Sequence, residues 1–257
     1  MPTCIAPAVA LMDALTIAAA SGIRSRMQSL DLLANNLANA GTAGFKRDQE
    51  FYGLYSSADA TSDSNGFTTT VPVIERQWTD FSAGILQVTG NSLDAAINGK
   101  GFFVVRGPNG PLYTRNGSFQ NLPTGELATA EGYPVLNPNG DPIQIQPGKN
   151  VVITPTGDVQ QGGVSQGQLA VVNFASTDSL VKTGNACFLN ANPKNAPEPA
   201  ADVAVQQGKL EGSNVPVAEA AMRLVGVMRQ FEMLQKAVTV GNEMDTKSLQ
   251  EVARVSS

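Results

Sequence analysis

The sequence contains no histidine among its 257 residues. Histidine is the commonest general base near neutral pH and a frequent metal ligand, so its absence argues against both kinds of site. The two cysteines, Cys4 and Cys187, lie too far apart along the chain for a CxxC motif. They form either a disulfide or, as we favour, two free thiols. We therefore expect neither a metal ion nor a cofactor.

Charge is also scarce, because charged residues make up 15% of the chain and aromatic residues only 6%. The net charge is −5 and no segment concentrates lysine and arginine, whereas binding to nucleic acid needs a basic patch. No apolar run reaches the length of about 18 residues that a membrane-spanning helix needs. Neither nucleic-acid binding nor insertion into a membrane is therefore expected.

The N-terminus lacks the basic start of a secretory signal peptide, because the first cation of the chain is Arg24. We therefore predict that no signal peptide is cleaved. Met12 followed by Asp13 has the character of a natural start. We interpret residues 1–12 as an N-terminal extension.

Apolar residues recur at coiled-coil spacing at both ends of the chain. The first stripe advances in alternating steps of four and three residues: Ile23, Met27, Leu30, Ala34 and Leu37. The second runs from Val217 to about Val252 and contains Leu224, Met228, Phe231 and Val238. The pattern predicts one long helix at each end, with a seam that packs on another helix.

The segment Asn35–Lys46 closes the first of these helices. Asparagines fill the last helical turn, and Gly41 and Gly44 precede Phe45 and Lys46. Glycine after a helix is typical of a C-cap, because glycine adopts a positive φ at little cost. The segment therefore predicts a corner at which the chain leaves the helix.

Turn signals fill the middle of the chain. Asn-Gly pairs, which are typical of β-hairpin turns, begin at residues 98, 109, 116 and 139. Runs with β propensity, such as Gly101–Val105 and Leu169–Phe174, lie between the turns. We predict an α+β fold in which long coiled-coil-type helices from the two ends pack together and a mainly antiparallel β domain is inserted between them.

The predicted domain boundaries follow these changes of pattern. Residues 1–12 are the N-terminal extension, 13–45 the first helix and its motif, 46–76 an extended linker, 77–209 the central β domain and 210–257 the C-terminal helix.

Short motifs along nearly the whole chain resemble those of the flagellar rod and hook proteins. They are Ala34–Asn39 with Thr42–Lys46, Asn98–Val104 with Tyr113–Phe119, Leu210–Val215, and Arg229–Met233. Their order along the chain is also that of the family. The layout and the Arg229–Glu232 sequence are most similar to the F-type proximal rod protein, and the distal rod protein of the same family is the alternative.

The resemblance implies a structural subunit without enzymatic activity. Such a subunit assembles through its terminal helices into the rod of the bacterial flagellar basal body, which transmits motor torque to the hook and filament. Its partners would be proximal and distal rod subunits and further copies of itself. The resemblance also implies a rod that spans the periplasm and passes the peptidoglycan, reached by flagellar type III export without a cleaved signal peptide.

The residues expected at the assembly interface belong to the two seams and to the motifs around the corner. They are Ile23, Met27, Leu30, Leu33, Asn35, Asn36, Leu37, Asn39, Gly44, Phe45, Asn214, Leu224, Met228, Phe231 and Val238.

Two other functions would use the central region differently. A peptidoglycan-cleaving enzyme needs a pair of carboxylates. The candidates lie beside turns or strand ends, where solvated carboxylates are common: Asp80, Asp94, Glu126, Glu131 and Asp141. A cell-wall-binding β module could stack sugars on Tyr113, Phe119 and Tyr133, although a place in the protein core is the favoured interpretation of these rings.

Overall fold

The computed structural model describes residues 6–56, 70–201 and 203–255. The prediction for Cys4 therefore lies outside the described residues. The chain divides into two compact units. Among the described residues, the helical unit comprises 6–37, 48–56, 70–78 and 216–255, and the β unit comprises 38–47, 79–201 and 203–215.

Two long helices make up most of the helical unit. Helix α1 spans Ala6–Ala38 and helix α2 spans Val217–Val255. They pack against each other, for example at Gly22, where an added Cβ would lie 3.4 Å from Leu234 Cδ1. The predicted pairing of the terminal helices is thus confirmed, and α1 already includes part of residues 1–12. No helix of the described residues is long and apolar enough to cross a membrane.

Two strands complete the helical unit. Strands β1 (Asp48–Ser56) and β2 (Thr70–Thr79) pair in a two-stranded sheet, and they occupy much of residues 46–76. The buried side chain of Asn36 connects α1 to this sheet. Its amide nitrogen donates to the Asp48 carbonyl at 2.8 Å, and its oxygen accepts from the Asp48 N–H at 2.9 Å.

The β unit contains the remaining strands. In chain order they are β3 (Leu86–Val88), β4 (Ala95–Asn98), β5 (Phe102–Gly107), β6 (Gly110–Thr114), β7 (Phe119–Asn121), β8 (Leu127–Thr129), β9 (Val151–Ile153), β10 (Asp158–Gln161), β11 (Val164–Gln168), β12 (Val171–Asn173), β13 (Leu180–Gly184), β14 (Cys187–Asn190), β15 (Glu198–Pro199), β16 (Ala204–Gln207) and β17 (Lys209–Glu211).

The largest sheet of this unit has six strands in the order β13-β14-β6-β5-β12-β15. Smaller sheets pair β9, β10 and β11, β4 with β16, β3 with β17, and β7 with β8. The strand pairs of the unit run antiparallel, which confirms the predicted antiparallel β insertion. The first and last strands of the unit, β3 and β17, pair with each other although they are far apart in the sequence.

The six-stranded sheet is buried on both faces. Successive residues of a strand point to opposite faces of a sheet. Accordingly, Phe103 and Val105 lie in the larger of two cores, whereas the neighbouring Phe102 lies in the smaller one with Phe188. This double burial explains why β5 is apolar at successive positions rather than alternating with polar residues.

The aromatic residues considered for sugar stacking are part of these cores. Tyr113 and Phe119 are buried, and Tyr133 packs against the larger core. Tyr113 contacts the ring of Phe174 edge-on, with ring centroids 4.8 Å apart. Buried rings cannot stack on a sugar, so burial supports the core interpretation for Tyr113 and Phe119. Tyr133 is half-buried against the larger core.

Candidate functional site

The segment Ala38–Arg47, here called the joint segment, connects α1 to β1 and belongs to the β unit. It begins with a turn in which the Thr42 N–H donates to the Asn39 carbonyl at 3.1 Å. The Thr42 hydroxyl lies 3.3 Å from Asn39 Oδ1, and the Phe45 N–H donates to the Thr42 carbonyl at 3.3 Å. The polar groups after the helix thus form hydrogen bonds with one another. The residues that follow this turn pack in the β unit.

Gly44 lies close to another backbone. Its φ is +69°, and an added Cβ would lie 2.3 Å from the Asn116 nitrogen. Its N–H donates to the Glu211 carbonyl at 2.7 Å. Positive φ and the close crossing both require glycine here. The joint segment therefore lies between the Arg115–Asn116 region and β17.

Three charged side chains meet beneath the joint segment and form what we call the ion cluster: Lys46, Arg115 and Glu211. Lys46 Nζ lies 2.5 Å from Glu211 Oε1, and Arg115 Nη1 lies 3.3 Å from Glu211 Oε2. The side chains are 0%, 5% and 1% exposed, respectively. Three of the family motifs identified in the sequence, far apart along the chain, thus converge on one buried carboxylate.

Neutral groups provide further hydrogen bonds to these charges. Lys46 Nζ donates to the Ser82 carbonyl at 2.7 Å, and Glu211 Oε1 also accepts from the Gly84 N–H at 2.8 Å. Arg115 donates to the carbonyls of Ile97 and Gly99 and lies over the Phe102 ring. Buried charges are tolerated when they are paired and hydrogen-bonded in this way.

Burial still disfavours the cations of the cluster. It lowers the pKa of Lys46, and the hydrogen bond to Glu211 and its charge restore that pKa only in part. Burial likewise lowers the pKa of the Arg115 guanidinium, although the charge of Glu211 opposes this. The charge of Arg115 also lowers the pKa of Lys46, so both cations keep pKa values below their ordinary values although each contacts Glu211.

A second polar network, the exit clasp, consists of Arg47, Asp80 and Asn214. Arg47 forms an ion pair with Asp80 at 3.0 Å, and the Asp80 N–H donates to the Arg47 carbonyl at 2.9 Å. Asn214 Oδ1 accepts from the Arg47 N–H at 2.7 Å, and Asn214 Nδ2 donates to the Asp80 carbonyl at 2.8 Å. The three residues tie together the segments that lead to β1, come from β2 and lead to α2.

The carboxylate of Asp80 is held in its charged form by this network. Desolvation acts to raise its pKa, but hydrogen bonds from the backbone and side chain of Ser82 and from Arg47 outweigh it, and the pKa lies below its ordinary value. Asp80 was one of the acids considered for catalysis. Its partners favour a charged carboxylate in an ion pair rather than a general acid with a raised pKa.

Phe45 is held from another side by β13. Its ring is buried, and Lys182 Nζ lies 4.3 Å from the ring centroid. The same ammonium donates to the Lys46 carbonyl at 2.5 Å. A cation over an aromatic face and a charge-assisted hydrogen bond thus act on adjacent residues of the joint segment.

The predicted interface residues therefore fall into two groups. Asn36, Gly44, Phe45 and Asn214 make contacts within their own unit of this chain, as described above. The others lie on the two helices or at the end of α1. No role had been assigned from the sequence to Lys46, Arg115 and Glu211, although each lies inside a family motif. The chain has few charged residues, yet each of these three lies in an apolar or glycine-rich motif. That placement was the signal in the sequence that could have identified them as functional residues.

The buried face of α1 runs beside the predicted seam rather than along it. Its buried line consists of small or polar residues with one leucine: Gly22, Ser25, Ser29, Leu33 and Asn36. Of the predicted seam, Ile23, Leu30 and Leu37 are half-buried, and Met27 is 51% exposed. Asn35 is exposed and Asn39 half-buried.

The inner face of α2 follows the prediction more closely. Leu224, Phe231 and Val238 are half-buried at steps of seven, and Ala220 at the start of the helix is buried. Met228 lies off this line and is 47% exposed. The residues of the inner face are those that a helix places toward a neighbour at heptad spacing.

The opposite side of α2 carries a second apolar line, the outer stripe: Met222, Met233, Val240 and Met244. These residues are separated by eleven, seven and four positions, which places them on one side of a helix with 3.6 residues per turn. All are more than half exposed. Gly226 lies among them, and nothing within 4 Å occupies the space where its Cβ would be. The heptad spacing of the sequence did not predict this line.

Comparison with known proteins identifies the family. Residues 96–161 match the family described as flagellar hook protein FlgE/F/G D1 domain, and residues 206–251 match the flagellar basal body rod FlgEFG protein C-terminal family. The flagellar basal-body rod protein FlgF of Caulobacter vibrioides is 30% identical over 230 residues, which cover 89% of this chain and 94% of that relative. The chain belongs to the flagellar basal-body rod family.

Other members show similar agreement. FlgG of Bacillus subtilis is 32% identical, with 87% of this chain and 93% of the relative covered. FlgF of Mesorhizobium japonicum is 34% identical, with coverage of 79% and 83%. As a member of this family the chain is a structural subunit of the basal-body rod and not an enzyme, which confirms the function predicted from its motifs. Arg115, Glu211 and Asn214 lie within the matched segments.

Proposed function

We propose that this rod subunit is the F-type, proximal component and that neighbouring subunits bind the outer stripe of α2. The observation that carries the assembly proposal is the second apolar line of a helix whose first line already packs on α1. Exposed apolar side chains gain about 25 cal/mol for each Å² that a neighbour covers. A contact of this kind that repeats without closing a ring produces a filament.

The outer stripe suits the transmission of torque because it is long. From Met222 to Met244 it extends for about 33 Å at about 1.5 Å per residue. A single buried apolar side chain contributes only about 1.5–3 kcal/mol, so a drive shaft needs many such contacts in parallel. Methionine is flexible and fits surfaces of different shape, which favours contact with neighbours of different sequence.

The finer parts of the proposal concern place and partners. The F-type assignment is supported by the relatives named FlgF and by the short stretch between the N-terminal motif, which ends at Lys46, and the central motif, which begins at Asn98. The distal, G-type protein is the alternative, since the Bacillus subtilis relative is named FlgG. The partners are proximal and distal rod subunits and further copies of this chain. The subunit reaches the rod, which passes the peptidoglycan, by flagellar type III export without a cleaved signal.

The predicted interface residues contribute to assembly in three different ways. Met27, Asn35 and Met228 are exposed and are available to neighbours directly. The half-buried seam residues Ile23, Leu30, Leu37, Leu224, Phe231 and Val238 contribute where a neighbour covers the edge of the helix pair. Leu33, Asn36, Asn39, Gly44, Phe45 and Asn214 act indirectly, by holding each unit in the form that assembles.

A charge placed in the outer stripe tests the assembly surface. We predict that Met233→Glu abolishes swimming and yields basal bodies without a complete rod, because a carboxylate would have to be buried at every contact. Gln235→Glu is the matched control, since it adds the same charge at an exposed position of the same helix away from the stripe. Circular dichroism should show the same helix content for both variants. Normal swimming of Met233→Glu would contradict the proposed surface.

The axial position is tested separately. Antibodies against this chain should label purified basal bodies at the proximal rod. Labelling confined to the distal rod would instead support the G-type alternative.

A further inference from the structure

The ion cluster is unbalanced, because two cations share one carboxylate. Lys46 and Arg115 are both buried, and Glu211 is the one carboxylate that contacts either of them among the described residues. The charge of Asp80 also acts on Lys46, but Asp80 forms its ion pair with Arg47. Without Glu211, the same interior would hold two cations surrounded by carbonyl groups and an aromatic ring.

We propose that Glu211 acts as a latch for the joint segment: Lys46 can enter the interior beside Arg115 only when β17 has brought the Glu211 carboxylate between them. Docking of the N-terminal segment of the β unit thereby depends on the last strand of that unit. The inference concerns how this subunit closes and does not depend on its position in the rod.

Glu211 contacts the joint segment with both its backbone and its side chain. Its backbone carbonyl accepts from the Gly44 N–H at 2.7 Å, while its side chain lies 2.5 Å from Lys46 Nζ and 3.3 Å from Arg115 Nη1. The Gly84 N–H fixes the same carboxylate at 2.8 Å. One residue of β17 therefore binds the main chain of the joint segment and neutralises its buried charge.

Because the charges are buried, docking of the joint segment should depend strongly on Glu211. Removing one partner from a buried ion pair is strongly destabilising, because the remaining charge is left without compensation. Removing Glu211 leaves two such charges, whereas removing the Lys46 ammonium leaves Arg115 and Glu211 as a balanced pair. The two changes should therefore differ strongly, although they break the same contact.

The order of the three residues along the chain gives the latch a direction. Lys46 and Arg115 both precede Glu211, and 165 positions separate Lys46 from Glu211. A chain is synthesised from its N-terminus and its early parts can fold first. The latch delays docking of the joint segment until β17 is present, so a partly synthesised chain keeps this segment open.

Three full-length variants test the latch: Glu211→Gln, Lys46→Met and the double variant. Trypsin cleavage after Arg47, followed by mass spectrometry, measures opening of the joint segment, and Arg47 is present in all variants. We expect cleavage of Glu211→Gln to be about 100-fold faster than that of the wild type. Lys46→Met should remain within about threefold of the wild type. The double variant should be cleaved more slowly than Glu211→Gln because it holds one unpaired cation instead of two.

A matched control separates the cluster from a general effect of losing a carboxylate. Glu198→Gln changes an exposed acid of the same unit and should leave cleavage unchanged. If Glu211→Gln does not fold, the double variant decides: a folded double variant supports the latch, and an unfolded one overturns it. The proposal is also overturned if Lys46→Met is damaged as severely as Glu211→Gln.

Discussion

Burial changes the acid–base chemistry of Cys187. The side chain is 2% exposed and lies in the larger core. Burial, with a smaller effect of the Glu131 charge, raises the pKa of the thiol from 9.0 to about 11, although a hydrogen bond with Thr114 opposes the shift. The folded state therefore holds the proton more tightly than the unfolded state. The stability that results is complete below pH 9 and is lost as the pH rises toward about 11.

We predict that the wild type loses about 2 kcal/mol more free energy of unfolding than Cys187→Ala between pH 9 and pH 11, at about 1.36 kcal/mol per pKa unit. Denaturant titrations at several pH values measure the two curves. Both proteins share every other titrating group, so the difference between the curves isolates the thiol. Parallel curves would contradict the burial of a protonated thiol.

The asparagines of the family motifs show that the binding partner of a single residue cannot be predicted from the residue type. Asn36 and Asn214 were expected at an interface between subunits, but their amide groups bind backbone atoms of their own chain. An amide that both donates and accepts can serve a neighbour or a distant segment equally well. The partner is fixed by tertiary structure, since Asp48 and Arg47 reach these amides only after folding.

At the scale of elements, the joint segment shows how one glycine can decide the docking of a whole segment. Gly44 has a φ of +69° and no room for a Cβ, because the Asn116 nitrogen would be 2.3 Å away. Gly41, three residues earlier, has nothing within 4 Å of its Cβ position. The two glycines look alike in the sequence, where both were interpreted as residues of a helix C-cap.

We predict that Gly44→Ala destabilises the β unit by more than about 2 kcal/mol, because positive φ costs about 1–2 kcal/mol for a residue with a Cβ and the backbone clash adds to this. Gly41→Ala is the matched control and should change stability by less than about 1 kcal/mol. Thermal unfolding and trypsin cleavage after Arg47 measure both variants. Equal effects at the two positions would show that the crossing with Asn116 is not tight.

The two helices show what periodicity can and cannot predict. The heptad spacing predicted both helices, since a stripe of apolar residues at these steps lies on one side of a helix. It did not predict the buried line of α1, where Gly22, Ser25 and Ser29 allow α2 to approach closely. A search for large apolar residues passes over such positions. It also missed the outer stripe of α2, because the longer steps of that line do not form a strict heptad.

At the scale of the whole molecule, each unit is assembled from separate parts of the chain. The helical unit takes both ends and the β1–β2 sheet, and the β unit takes the joint segment and the central region. The chain therefore passes between the units several times, and the exit clasp ties three of these segments together within the β unit. Each unit has its own buried residues, so damage to one core should leave the other intact.

We predict that Phe231→Asp loosens the helical unit, because it places a charge on the half-buried inner face of α2, while the β unit stays folded. Hydrogen exchange should become faster in α1 and α2 and stay slow in the six-stranded sheet, and swimming should be lost. Gln235→Asp, at an exposed position of the same helix, should change neither property. Rapid exchange throughout the β unit in Phe231→Asp would contradict the independence of the two cores.

The sequence by itself determined the helices at the two ends, the antiparallel β insertion and the family, because periodicity, turn residues and short motifs are local properties of the chain. Only the tertiary structure decided which charges meet. Lys46, Arg115 and Glu211 are far apart along the chain, and no local pattern shows that one carboxylate serves two cations. The same holds for Gly44, whose need for glycine arises from the crossing with Asn116. The segment Asn35–Lys46 predicted a corner, and the residues that hold it in place come from distant parts of the β unit.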